Sequence, residues 1–127
     1  MSTILNDAKL TVKRSRFFAV LASVSDEEEI KALLAKRRRK VKRARHHCWA
    51  ARLTSPDGTI VELSRDDGEV GRPGQRILEV LRRNETLGVL VVSRVFGGVK
   101  LGPAGVGRAF KQVAEAVFDR SGDGVPG

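Results

Sequence analysis

The run from Val89 to Val95 constrains the fold most, because five of its seven residues are Val or Leu and neither Gly nor Pro interrupts it. Such a run is typical of a strand buried on both faces, so we place it at the centre of a sheet. Other β-branched and apolar segments predict three further strands. They comprise residues 10–24, 46–53 and 59–63, the last two joined by a turn signal at residues 55–58.

Apolar residues at helical spacing predict three helices. The first begins at a capping box of Ser25 and Glu28, the second ends at Arg83, and the third includes Ala109 and ends near Ser121. In chain order the elements are β-α-β-β-α-β-α. This order predicts an α+β fold, a single mixed or antiparallel four-stranded sheet with three helices packed against one of its faces.

The length and composition predict one domain. A chain of 127 residues that is 41% hydrophobic supplies a single core. We expect residues 1–9 to be a flexible lead-in, residues 10–121 to form the domain and residues 122–127 to be a loose tail.

The positive charge is concentrated in one block. The chain carries 24 Lys and Arg against 15 Asp and Glu, and ten residues contain eight of those cations without an acid. They are Lys36, Arg37, Arg38, Arg39, Lys40, Lys42, Arg43 and Arg45. Cations suit the carboxyl end of a helix, so a solvated helix end is one interpretation. A surface that binds phosphate or an acidic partner is the other.

Composition also excludes several classes of protein. The single Cys rules out an internal disulfide, and the first residues lack the order of a secretory signal, so we expect a cytoplasmic protein. The apolar runs are much shorter than the roughly 20 residues that a membrane-spanning helix needs. Only five Phe and one Trp occur, and there is no Tyr. A sheet that stacks several unpaired bases is therefore poorly supplied with aromatic rings.

The segment from Gly97 to Gly107 contains five glycines and is expected between a buried strand and a helix. Free amides there, with the positive end of the helix dipole, are suited to an anion. We therefore nominate Gly97 and Gly98, together with Arg94, Lys100 and Arg108, as an anion-binding surface. The alternative is structural, since glycines also permit positive φ angles and close packing. The segment is not a Walker loop, because Pro103 stands where the Lys should be.

Two smaller clusters could carry chemistry. Asp66, Asp67 and Glu69 place three carboxylates in four residues, enough for a divalent metal or a general base, although ion pairing to nearby Arg residues is the favoured interpretation. His46 and Cys48 alternate on a strand and so share one face. Two ligands do not make a zinc site, and we predict no metal, no cofactor and no catalytic residue.

Four segments together resemble the amino-terminal domain of the Impact/YigZ family, over about residues 10–118. They are Lys13-Arg-Ser-Arg-Phe17, His46-His-Cys-Trp-Ala-Ala-Arg52, Asp66-Asp-Gly-Glu69 and Arg94-Val-Phe-Gly-Gly-Val-Lys-Leu-Gly-Pro-Ala-Gly-Val-Gly-Arg-Ala-Phe110. The resemblance adds Arg16, His46, Cys48, Asp66, Asp67 and Glu69 as motif residues. It implies a fold like the second domain of a small-subunit ribosomal protein and the fourth domain of the translocation elongation factor, with a left-handed β-α-β crossover.

The sequence departs from the family pattern at three places, one of which is the segment Pro103-Ala-Gly-Val-Gly107, where the second Gly-rich part of the motif is looser. Val95 replaces the usual Tyr, and the loop from Val70 to Arg76 differs and is apparently one residue shorter. Relatives also carry a second domain, and its contributions, including the partner binding by which Impact restrains a translation-control kinase pathway, are not expected of this domain.

We therefore expect a non-enzymatic, translation-associated regulator that binds RNA or the ribosome through the basic helix end and the Gly-rich loop. One alternative is an enzyme or binding protein for a small phosphorylated or acidic ligand. Another is a module that binds an acidic protein. The sequence leaves the oligomeric state open.

Overall fold

The computed structural model describes residues 2–119, which form five strands and three helices. In chain order these are β1 (Thr3–Val12), β2 (Ser15–Ser23), α1 (Glu27–Lys40), β3 (His46–Thr54), β4 (Ile60–Arg65), α2 (Pro73–Arg83), β5 (Gly88–Val95) and α3 (Gly102–Ala116). The α+β class is as predicted.

The prediction of four strands is wrong, because the expected lead-in forms most of β1. β1 pairs antiparallel with β2 across a tight turn at Lys13 and Arg14. These two residues have φ angles of 46° and 72°, a conformation that hairpin turns usually assign to Asn or Gly. Residues 10–24 contain neither Asn nor Gly, so the sequence pattern predicts one continuous strand there. The predicted tail, residues 122–127, lies outside the described residues.

All strand pairs in the sheet are antiparallel, and the strand order is β1-β2-β5-β3-β4. The prediction that β5 is central is confirmed, since every residue of β5 is buried. The register places Arg16 of β2 opposite Val95, and His46 of β3 opposite Arg94. The beginnings of β2 and β3 therefore meet the end of β5, and residues from distant motifs lie side by side there.

The helices cover both faces of the sheet, which corrects the prediction that all three pack on one face. One apolar cluster joins α2 and α3 to the face that carries Leu90 and Val92. The other joins Ile30, Leu33 and Leu34 of α1 to the opposite face, which carries Val89 and Val91. A strand buried on both faces needs a cover on each side, and the helical pattern of α1 did not indicate which side it covers.

Two helices connect parallel strands, and these connections have opposite hands. β2 and β3 are parallel and α1 joins them; β4 and β5 are parallel and α2 joins them. The second crossover differs from the first in three ways. Its strands run in the opposite direction, it moves along the sheet in the opposite direction, and its helix lies on the opposite face. Three reversals invert the hand, so one crossover is left-handed, whereas about 98% of such connections are right-handed.

The second helix ends at Arg83 as predicted, whereas the start of α1 and both ends of α3 differ from the predictions. The N-cap of α1 is Asp26, whose carboxylate accepts a hydrogen bond from the Glu29 amide at 2.9 Å, so the predicted capping pair lies one residue too early. α3 begins at Gly102 and ends at Ala116. Much of the predicted Gly-rich loop is therefore the first turns of a helix, and only residues 96–101 form a loop.

Candidate functional site

A groove beside the carboxyl end of α1 collects most of the positive block. Its volume is about 360 Å³. It is lined by six cations and three apolar side chains: Arg16, Arg37, Arg39, Lys40, Lys42 and Arg43, with Phe18, Val41 and Val95. We call this the basic groove. Among the described residues, no acid lines it.

The fold assembles the basic groove from three parts of the chain. Phe18 of β2 and Val95 of β5 lie on the sheet face that α1 covers, and Arg16 pairs with Val95 across the two strands. α1 ends at Lys40, where the amide of Val41 donates to the carbonyl of Arg37 at 2.8 Å. This turn places the following cations around the apolar floor.

Five of the eight cations in the predicted basic block line the basic groove, and Arg45 lines a separate pocket. Lys36 instead lines a depression with Asp26, and Arg38 lines neither. Burial lowers the pKa of Arg37, and the charge of Asp7 partly offsets that effect. Sequence reasoning missed the apolar floor, because it needs the pairing of β2 with β5, which are distant in the sequence.

Arg94 does not lie on the predicted anion-binding surface, because its side chain is only 9% exposed. Its guanidinium pairs with Glu69 at 3.2 Å and donates to the Ser15 hydroxyl at 3.2 Å. It also lies 5.6 Å from the ring centroids of both Phe17 and Phe96. These contacts join β2, β5 and the loop after β4. Arg94 is therefore a buried structural cation.

Two adjacent glycines of the predicted anion loop have different environments. A Cβ atom at Gly97 would overlap the backbone carbonyl of Arg14, and the Gly97 amide already donates to the Ser15 hydroxyl at 3.3 Å. Gly98 has a φ of 91° and no atom within 4 Å of a built Cβ. Lys100 and Arg108, also predicted for this surface, are exposed. The loop therefore presents Gly98 and Lys100 to solvent and Arg108 is exposed on α3, whereas Gly97 is packed.

Each carboxylate of the acidic loop, residues 66–69, accepts a hydrogen bond or ion pair from the protein itself. Asp66 accepts from the amide of Gly74 in the first turn of α2, at 2.8 Å. Asp67 accepts from the amide of His47 at 2.7 Å, and Glu69 pairs with Arg94. Within residues 2–119, no three His, Cys, Asp or Glu side chains come together as a metal site. Of these three acids, Glu69 forms an ion pair with an Arg side chain, as the favoured interpretation expects, whereas Asp66 and Asp67 accept hydrogen bonds from backbone amides.

The residues at the start of β3 contribute to packing in the described structure. His46 donates from Nδ1 to the carbonyl of Asp67 at 2.7 Å, and Cys48 donates to the carbonyl of Asp66 at 3.1 Å. Burial strongly raises the pKa of the Cys48 thiol, and Glu69 adds to the effect, so the nucleophilic thiolate is disfavoured. On the opposite face, the His47 ring is 2.6 Å from the buried Ser93 hydroxyl. Burial, followed by the charge of Arg38, lowers the pKa of His47.

The fold and the groove define a small α+β domain with a cationic groove at one end of its sheet. The model of the Impact N-terminal domain matches residues 13–118, and the chain belongs to that family. This finding confirms the resemblance stated from the motifs.

Curated proteins similar to this chain come from bacteria and eukaryotes. An IMPACT family member of Thermus thermophilus is 40% identical over 87% of this chain and 58% of its own length. One of Haemophilus influenzae is 37% identical over 78% of this chain and 49% of its own. Protein IMPACT of Rattus norvegicus is 36% identical over 79% of this chain and 32% of its own. The chain thus spans about half or less of the length of these relatives.

Two solved structures resemble the model. A crystal structure of a hypothetical protein superposes with a TM-score of 0.80 and 29% identity, covering 94% of this chain and 61% of that one. The structure of the two-domain translational regulator Yih1 gives a TM-score of 0.55 and 29% identity, covering 92% and 45%.

Within residues 2–119, each helix is too short or too polar to span a membrane.

Proposed function

We propose that this chain is a non-enzymatic, translation-associated regulatory domain that binds RNA, free or on the ribosome, through the basic groove. The observation that carries the proposal is the groove lining: six cations from three parts of the chain, with no acid among the lining residues that the structure describes. Lys and Arg bind RNA phosphates and release the counterions condensed on them. A helix end that only balanced its own dipole would not need Arg16 from β2.

The family supports the translation part of the proposal. Yih1, whose structure resembles this model, is described as a two-domain translational regulator. The left-handed crossover of the sheet also fits the implied likeness to domains of a ribosomal protein and the translocation elongation factor. Both kinds of protein belong to the translation machinery, which supports a partner from that machinery.

The acidic loop favours a binding role over catalysis. A general base must reach a substrate proton, yet Asp66 and Asp67 accept backbone hydrogen bonds and Glu69 is ion-paired and buried. An enzyme acting on a small phosphorylated ligand would therefore have to rely on Gly98, Lys100 and Arg108 for binding, and would have to use a carboxylate of this loop that already accepts a hydrogen bond or forms an ion pair. We assign these exposed residues to the edge of the RNA-binding surface.

A salt titration by fluorescence anisotropy tests the proposal. Binding of structured RNA and single-stranded RNA is compared with binding of polyglutamate between about 0.05 and 0.2 M salt. We expect tighter binding of RNA, with a steep fall in affinity as salt increases. The variant Arg39→Glu should lower RNA affinity about tenfold at 0.15 M salt and make the logarithmic salt slope shallower by about 0.7 for each lost contact to single-stranded RNA.

Arg38→Glu is the matched control, because Arg38 lies next to Arg39 in the same helix turn but does not line the groove. At 0.15 M salt the Debye length is about 8 Å, so this reversal should lower affinity about threefold or less. Equal losses in the two variants would show that general charge, rather than the groove, determines binding.

An acidic protein is the second candidate partner, because the groove floor of Phe18, Val41 and Val95 is apolar. An apolar floor suits a side chain of a docked peptide as well as a nucleoside. Polyglutamate binding at least as tight as RNA binding would favour this candidate and overturn RNA binding.

A further inference from the structure

A second pocket lies at the same end of the sheet as the basic groove, towards the α2 and α3 face. Its volume is about 190 Å³, and Arg45, His46, Glu69, Arg94 and Phe96 line it. We call it the Phe96 pocket. The Phe96 residue is 52% exposed, while the side chains of Glu69 and Arg94 beside it are only 5% and 9% exposed. An exposed aromatic ring thus lies beside a buried ion pair, where core packing does not require it.

The groups around this pocket include both donors and acceptors of hydrogen bonds. His46 Nδ1 donates to a carbonyl oxygen, which leaves Nε2 of the neutral ring as an acceptor. The exposed guanidinium of Arg45 supplies hydrogen-bond donors. The Nε atom of Arg94 is buried and has no hydrogen-bond partner among the described residues. A flat apolar ring combined with donors and acceptors suits a planar heterocycle.

The size of the Phe96 pocket restricts the ligand further. Pockets for drug-sized molecules have volumes of roughly 300–1,000 Å³, so this pocket takes one ring system rather than a larger molecule. Arg94 lies 5.6 Å from the Phe96 ring centroid and supports one side of the ring. The ring is therefore oriented before a ligand arrives, which reduces the entropy lost on binding.

The Phe96 pocket and the basic groove are lined by neighbouring residues at the same end of the sheet, the groove on the α1 face and the pocket towards the α2 and α3 face. Val95 forms part of the groove floor, and the next residue, Phe96, lines the pocket. Arg43 lines the groove, and Arg45, two residues later, lines the pocket. A polymer whose phosphates occupy the groove therefore reaches the pocket across the end of β5.

We propose that the Phe96 pocket takes one unpaired base of a bound RNA, stacked on the Phe96 ring. The inference rests on the proposed function, since the phosphates of the same strand would occupy the basic groove. RNA-binding proteins commonly recognise unpaired bases by stacking them on aromatic rings. One ring serves one base, so the low aromatic content of the chain is sufficient. The pocket thus selects single-stranded or bulged RNA over a continuous duplex.

The test compares a single-stranded RNA of mixed sequence with an oligomer of equal length in which every base is removed and all phosphates remain. We expect the wild-type protein to bind the base-bearing strand about tenfold more tightly, within the range that one stacked base contributes. Phe96→Ala should bind both strands with equal affinity. Phe96→Tyr, which keeps an aromatic ring, should preserve the wild-type ratio.

Two controls separate the pocket from the groove. Val99→Ala removes another exposed apolar side chain of the same loop that does not line the pocket, and it should keep the tenfold ratio. Arg39→Glu should lower the affinity for both strands by the same factor, so the ratio between the two affinities should stay at about tenfold. Thermal unfolding of Phe96→Ala checks that the variant is folded.

The outcomes distinguish failure of the pocket from failure of the groove. Wild-type protein that binds both strands equally, with a steep salt dependence, would overturn the base pocket and leave the groove intact. A ratio that survives in Phe96→Ala would also overturn the assignment to Phe96. Wild-type protein that binds neither strand would overturn both the groove and the pocket.

Discussion

The cations of the basic groove and the carboxylates of the acidic loop lie near the same end of the sheet but differ in their partners. Within residues 2–119, no ion pair joins a groove cation to an acid. In contrast, Asp66 and Asp67 each accept a hydrogen bond from the backbone, and Glu69 pairs with a buried Arg94. Two runs of like charge in one sequence therefore have opposite roles.

This difference is the basis for placing the proposed partner at the basic groove rather than at the acidic loop. A buried charge is costly to desolvate, so the buried Glu69 needs the Arg94 cation beside it, whereas Asp66 and Asp67 are exposed and hold the loop through backbone hydrogen bonds. An exposed cation keeps its hydration and contributes little to stability, so it is free to bind a phosphate. Stability measurements should therefore respond to the acidic loop and affinity measurements to the basic groove.

The largest expected effect on stability comes from breaking the Arg94 ion pair. Arg94→Leu leaves Glu69 buried without its partner, and we expect the free energy of unfolding to fall by about 3–5 kcal/mol. Urea denaturation followed by circular dichroism measures the change. The double variant Arg94→Leu with Glu69→Leu should recover more than half of the loss, because no uncompensated charge remains.

A loss below about 1 kcal/mol in Arg94→Leu would mean that Glu69 is well solvated without its partner, given the cost of isolated buried charges. The contrast between the two regions would then be wrong. Lack of recovery in the double variant would point instead to the Ser15 and aromatic contacts of Arg94.

The next largest effect separates two neighbouring glycines. Gly97→Ala forces a methyl group onto the Arg14 carbonyl, so we expect a loss of about 1–3 kcal/mol, typical of overpacking. In Gly98→Ala the new methyl group has no atom within 4 Å. The only destabilisation comes from placing Ala at a φ of 91°, which costs about 1 kcal/mol. Thermal unfolding of both variants provides the comparison. A loss for Gly97→Ala no larger than that for Gly98→Ala would show that the β1–β2 turn moves away from Gly97 at little cost.

Local patterns in the sequence predicted much of the fold. The uninterrupted apolar run gave the central β5, and the turn signal at residues 55–58 gave the β3–β4 hairpin, whose Ser55 and Thr59 are hydrogen bonded at 2.8 Å. β1 was missed because its turn uses Lys13 and Arg14 at positive φ without Gly or Asn. The face that α1 covers depends on the whole sheet and has no local signal.

The candidate site was less predictable, because pairing between distant segments decides it. The basic block is visible in the sequence, but its apolar floor needs Phe18 and Val95 from paired strands. Arg94 and Glu69 were both singled out, in separate proposals, and the structure joins them in one ion pair. Charge shows that a residue needs a partner but not whether that partner is a protein group or a ligand.

A smaller effect tests His47, which lies between the two regions. Its pKa is lowered by burial first and then by Arg38, so the unfolded chain takes up a proton near pH 6.5 and the folded chain takes one up at a lower pH. Stability therefore rises with pH in the window below 6.5 and is lost as pH falls, by at most about 1.4 kcal/mol per pH unit. Comparing urea denaturation of wild type and His47→Gln between pH 7.5 and 5 isolates this contribution.

The Arg38→Ala variant sharpens the pH test. It removes a cation that opposes protonation of His47, so the pKa of the folded state should move closer to the ordinary value and the pH dependence should become weaker. A wild-type pH dependence identical to that of His47→Gln would show that His47 titrates equally in the folded and unfolded chains.

The smallest expected effect on stability is that of reversing a groove cation. Arg39→Glu places an acid in the last turn of α1, which costs about 0.3–1 kcal/mol against the helix dipole. The same change relieves repulsion among the neighbouring cations by a similar amount, since like charges one helical turn apart destabilise a helix. We therefore expect the free energy of unfolding to change by less than about 0.5 kcal/mol, as for most exposed positions. Urea denaturation beside the RNA titration measures both quantities on one sample.

This last variant separates the roles of the two regions most directly. If Arg39→Glu lowers RNA affinity about tenfold without loss of stability, the groove cations serve a partner and not the fold. A loss of stability as large as that of Arg94→Leu would mean instead that the basic groove contributes to folding, as the acidic loop does. Arg16→Glu extends the test across the groove, because Arg16 belongs to β2 and lies outside the helix dipole. An equal loss of affinity in both variants would require that one partner contacts the strand and the helix together.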